Sequence, residues 1–169
     1  MALAIALADH KARAEDVANR AAAAAILISE RTYKLRAMLS GAIEHPNDLK
    51  SNKPSYIPWL REAGSKFRGL PSLIKDEHLP FTVDLSPADL RALLVTDQWL
   101  RNFQQRILPG PAEDGFIWLG RFDAIVDEMT IGYGLVSHVT ERIHVLSGMD
   151  GSPPWVVDVP SWATPRTGP

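Results

Sequence analysis

The 169-residue chain contains no cysteine, which excludes disulfides, thiolate metal sites, zinc fingers and a cysteine nucleophile. Glycine and proline are both missing from Ala2 to Ser40, so nothing in that stretch interrupts a helix. The G-x-S-x-G, G-x-x-x-x-G-K-[ST] and G-x-G-x-x-G patterns do not occur, and neither a serine-hydrolase elbow nor a phosphate cradle is therefore indicated. No basic leader precedes the first apolar residues, and acids arrive by Asp9. That pattern argues against a secretory signal and makes the cytoplasm the expected compartment. What remains is globular in composition: 46% hydrophobic and 22% charged residues fit neither a disordered, a collagen-like nor a membrane-embedded chain. The length suits one hydrophobic core.

A net charge of −2 conceals an asymmetry. Residues 31–75 hold nine Lys/Arg against three Asp/Glu, whereas residues 113–158 hold eight acids against Arg121 and Arg142. A basic middle and an acidic end can pair within one fold, pair between copies, or face different partners.

The first forty residues are rich in alanine, leucine, arginine and glutamate, a composition that predicts helix. Steps of four and three from Leu3 pass through Leu7, His10, Ala14, Val17, Ala21, Ala24, Ile28, Arg31, Leu35, Met38 and Ala42. Only His10 and Arg31 interrupt this coiled-coil-like seam. Its central alanines allow a facing helix to approach closely. A continuous helix over Ala2–Ser40 would extend roughly 60 Å, against a radius of gyration of about 15 Å for a compact domain of this size. Either the helix breaks, near Ser29 or within Asp9–Asp16, or a neighbour covers its excess length. The second outcome is the expectation, with Ala21, Ala24, Ile28, Leu35 and Met38 as interface residues.

Residues 45–58 carry three prolines and three Asn/Asp and read as a loop. Short helices are predicted over Trp59–Phe67 and Leu70–His78, followed by an extended link from Pro80 to Leu85. Ser86-Pro87-Ala88-Asp89 is a helix start, because a serine cap, a proline in the first turn and an early acid each suit the exposed amides there. This helix should run to about Leu108 and stop at Pro109-Gly110-Pro111. A last helix is expected from about Phe116 to Ser147, ended by Gly148 and Gly151. Residues 152–169 contain five of the thirteen prolines and favour an extended tail, with Trp155 and Trp162 seeking cover along the domain or in a partner's groove. The organisation is thus a helical domain over residues 1–151 and an extended tail over 152–169.

Three kinds of chemistry are written in this pattern. On the last helix, Asp123, Asp127, Thr130, Gly134, His138 and Glu141 fall within a stripe about 80° wide. Asp123 with Asp127, or Glu141 with His138 or His144, has the spacing of metal ligands on a helix. The two groups lie roughly 16 Å or more apart along the axis, so they cannot share one ion. In the basic segment 31–75, Lys50, Lys53, Lys66 and Arg68 alternate with aromatics, as in surfaces that neutralise phosphates and stack bases. Thr130-Ile131-Gly132-Tyr133-Gly134 resembles the selectivity filter of potassium channels. The flanking Asp123, Asp127, Glu128, Glu141 and Arg142 exclude the membrane helices a channel requires, and Gly132 reads instead as a packing position.

The sequence therefore predicts an all-α, irregular helical bundle with a long N-terminal helix and an extended tail rich in proline and tryptophan. The expected function is a non-enzymatic interaction or assembly component that self-associates through the α-helical seam and the tail, with no cofactor and no membrane. A nucleic-acid-binding regulator and a metal-dependent helical-bundle enzyme are the alternatives.

Overall fold

The computed structural model describes residues 2–44, 53–110 and 112–148. Lys50, Trp155, Trp162 and the whole 152–169 tail lie outside the described residues. Six α-helices are described: α1 (Ala2–Glu44), α2 (Ile57–Arg68), α3 (Leu79–Thr82), α4 (Pro87–Asn102), α5 (Gly115–Gly120) and α6 (Phe122–Ser147). The 3-10 turns Lys53–Tyr56 and Asp76–His78 and a π-turn over Phe103–Ile107 complete the described regular structure. The protein is all-α, as its composition implies.

α1 does not break. Ser29, a suspected interruption, is fully buried and returns its hydroxyl to the Ile26 carbonyl at 2.6 Å, so its polarity is absorbed inside the helix. The 43-residue helix is roughly 65 Å long. Its inner part, from Ala21 to Ala42, lies in the core with α4 and α6.

The relative course of these three helices follows from their cross-links. Arg20 meets Asp84 just before α4 begins, while Arg31 donates to the Ser72 carbonyl, whose hydroxyl in turn reaches Asp97 well along α4. α1 and α4 therefore run parallel. Arg142 meets Asp89, and Trp99 meets Glu128, so α6 runs antiparallel to both. Close approach of α4 and α6 requires Gly132. A Cβ there would stand 2.0 Å from the Trp99 ring, which stacks on Phe103 at 5.3 Å. The packing role read for Gly132 holds, and α6 continues through Gly134.

Starts and stops were legible where local chemistry decides them. Ser86 accepts from the Asp89 amide at 3.1 Å and caps α4. The predicted helix to Leu108 loosens into the π-turn after Asn102. Leu108 is then extended, as the residue before a proline must be. Gly148 closes α6 at φ 64°, a conformation open to glycine.

Three expectations are corrected. The single last helix is divided at Arg121, which leaves helical geometry beside Gly120 and sends its guanidinium to the Arg106 and Ile107 carbonyls. The preceding α5 has its own cap: the Asp114 carboxylate accepts from Phe116 and Ile117 amides. Leu70–His78 is mostly irregular, because Pro71 lacks an amide and buried Asp97 captures the Leu73 amide at 2.6 Å. Pro80–Leu85 is turned rather than extended: Pro80 occupies the first turn of α3, where its fixed φ is compatible with helix, and Leu85 donates to Thr82.

Candidate docking surface

The sequence seam meets two environments. Ala21, Ala24, Ile28, Leu35 and Met38 are all buried within the chain's own core. What shields them is intramolecular, chiefly α6, and they form no open surface. The residues from Leu7 to Arg20 are all exposed. This arm of α1 projects about 20 Å past the bundle, with Leu7 62% and Val17 41% exposed.

Its surface is patterned. Leu7, His10, Ala14 and Val17 continue the seam, with Asp9 and Arg13 beside it. On helical spacing, Lys11 flanks the stripe on one side and Arg13 and Arg20 flank it on the other. Acids stand one row farther out: Glu15 pairs with Lys11 at 3.8 Å and Asp16 with Arg20 at 2.5 Å. The stripe thus carries Leu7, Ala14 and Val17 around His10, edged by cations and then by anions. Such solvent-screened pairs contribute little to an exposed helix, so they support helicity without substituting for a packed face.

Arg20 fixes the arm to the bundle. It also pairs with Asp84 at 2.8 Å. The hydrogen bond to Asp84, followed by the field of Asp16, raises the Arg20 pKa above its ordinary value. This clamp was not read from the sequence, because Asp84 is 64 positions away.

The nucleic-acid candidates do not assemble into a basic, aromatic face among the described residues. Lys53 is paired with Asp123 at 2.6 Å and sits 5.7 Å above the Phe122 ring. Arg68 donates to the Leu108 carbonyl at 3.1 Å and to that of Pro109. Lys66 is exposed, but Phe67 beside it is buried edge-on against Phe103. Much of the basic middle thus ties carbonyls and carboxylates within the fold.

The metal candidates are likewise dispersed. Asp123 is held by Lys53, and His144 Nδ1 lies 2.9 Å from the Tyr33 hydroxyl. Asp127, His138 and Glu141 are exposed. No three His, Asp or Glu side chains among the described residues stand close enough together to hold a metal ion.

Two buried carboxylates carry structural networks that spacing alone did not reveal. Asp97 accepts from Ser72, the Leu73 amide and Arg101. Asp89 accepts from Arg142 at 2.7 Å and from Ser86 at 2.6 Å. The Arg142 bond holds Asp89 below the usual aspartate pKa against the opposing effect of burial. His78 is pushed below the usual histidine value by burial and then by Arg31. No helix among the described residues is long and apolar enough to cross a membrane. Comparison with protein-family models, curated proteins and solved structures finds no match.

Proposed function

We propose that this protein is a non-enzymatic interaction and assembly component that docks through the projecting arm of α1. The observation that carries this reading is the continuation of one seam, through Leu7, Ala14 and Val17 and interrupted at His10, beyond the bundle that buries its inner half. A helix whose stripe has no core to face gains stability by covering it.

Charge specifies what fits. Two arms laid directly on one another would bring Lys11, Arg13 and their copies together, an arrangement disfavoured by like-charge repulsion. A surface with acids at its edges suits the arm better. On a second copy, the exposed Asp127 and Glu141 of α6 can supply acids of that kind. Self-association is then head-to-tail, between unlike surfaces.

Sedimentation velocity over a wide concentration range tests the reading. The full chain is expected to gain mass reversibly with concentration, less so at high salt. The Leu7→Glu/Val17→Glu variant should remain monomeric with an unchanged melting temperature. A wild-type monomer at every concentration, with no retention of an acidic helical partner, contradicts it.

A further inference from the structure

Arg31 interrupts the buried half of the seam, and packing does not account for it. Its side chain is half-buried and donates to the Ser72 carbonyl at 2.8 Å, and no ion pair joins it among the described residues. A carbonyl needs a donor, not a full charge. The guanidinium therefore keeps a positive charge in a partly desolvated place, an arrangement that costs free energy until an anion joins it. Its field is felt nearby: after burial, Arg31 is the main cause that lowers the pKa of His78.

Arg31 borders a cavity of about 210 Å³. Leu35 of α1, Leu73 and Leu100 of α4 line it, each only 1% exposed. The irregular segment after α2 adds Leu70 and Pro71, and α1 adds Glu30 and Lys34 beside Arg31. That irregular wall is held in place. Gln104 donates to the Phe67 and Leu70 carbonyls at 2.9 Å each, while Asp97 accepts from the Ser72 hydroxyl at 2.7 Å and the Leu73 amide at 2.6 Å. A wall pinned at Leu70, Ser72 and Leu73 need not be ordered when something binds against it.

We propose that this cavity binds a small monocarboxylic acid whose apolar body is the size of a benzene ring, with the ring against Leu35, Leu73 and Leu100 and the carboxylate at Arg31 and Lys34. An apolar lining with a few convergent polar groups is the usual make-up of a small-molecule site. Size sets the body: an apolar cavity of about 150 Å³ already holds benzene, so the volume here takes a ring and a short acid arm. Charge sets the head group. Arg31 and Lys34 against Glu30 leave one positive charge, which one carboxylate neutralises and a phosphate dianion overshoots. A guanidinium also matches a carboxylate in shape, through paired N–H donors. The site lies on the buried half of α1 and needs no second copy, so it is independent of docking through the arm.

Titration of the isotope-labelled full chain with phenylacetate, followed by NMR, tests the proposal. The Leu73 and Leu100 amides should shift saturably. Phenylacetate is expected to bind about tenfold more tightly than phenylacetamide, which has the same shape without the charge, and than acetate, which lacks the ring. Arg31→Gln keeps a donor for the Ser72 carbonyl but removes the charge, and should abolish the preference for acid over amide. Exposed Lys34→Gln should reduce that preference about threefold, and exposed Lys66→Gln on α2 should leave it unchanged. Thermal melts followed by circular dichroism check that each variant is folded. No saturable shift at Leu73 and Leu100, equal binding of acid and amide, or a full preference retained in both Arg31→Gln and Lys34→Gln would overturn the proposal. Should Arg31→Gln fail to fold, Lys34→Gln decides: a reduced preference upholds the site and an unchanged one overturns it.

Discussion

The two halves of α1 share a period, an alanine-rich composition and a single unbroken axis, yet one is core and the other is surface. From Ala21 to Ala42 the stripe is met chiefly by α6; from Leu7 to Val17 nothing described meets it. Periodicity identifies which face of a helix needs cover. It does not identify the molecule that provides it.

The largest contrast between the halves is energetic. Leu39 is fully buried, so Leu39→Ala should cost about 2–5 kcal/mol in chemical denaturation, by lost burial and a residual cavity. Leu7→Ala should change stability by less than about 0.5 kcal/mol. Similar losses at the two leucines would erase the distinction between core seam and docking arm.

The next effect sharpens the same comparison within α6. Gly132→Ala drives a Cβ into the Trp99 ring and is expected to destabilise by about 1–3 kcal/mol. Gly134 has open space where its Cβ would be, and Gly134→Ala should stabilise by up to about 1 kcal/mol through helix propensity. Opposite signs for glycines two residues apart, read as melting temperatures, would verify that one face of α6 is packed and the other is not.

Acid titration gives a smaller effect. The folded-state pKa of Asp89 lies below its unfolded value, chiefly because of Arg142. Its contribution is therefore fully present above the usual aspartate pKa and is lost as pH falls through the depressed value. Asp89→Asn should lower stability at neutral pH and flatten the acid limb of the stability curve. An unaltered acid limb in Asp89→Asn would remove the pair from the account of how α4 and α6 are joined.

What could be read from sequence was what neighbours along the chain determine. The Ser86 cap, the stop before Pro109 and the left-handed Gly148 each depend on backbone chemistry within a few residues. The turn at Arg121 depends on carbonyls 14 and 15 positions away, and the irregular 70–75 segment on a carboxylate from α4. Neither leaves a local pattern. The docking site was half legible for the same reason: the seam was visible, while the boundary at Arg20 is set by Asp84 and by where α6 stops. The metal spacing on α6 was real as a pattern, but Lys53 and Tyr33, from other parts of the chain, engage Asp123 and His144.

Hydrogen exchange along α1 at low and high protein concentration tests the central claim most directly. Amides of residues 21–42 should be strongly protected at both, and those of residues 7–20 should exchange faster at low concentration and become protected as concentration rises. Equal protection of the two halves at low concentration, or exchange from residues 7–20 that does not respond to concentration, would contradict the account.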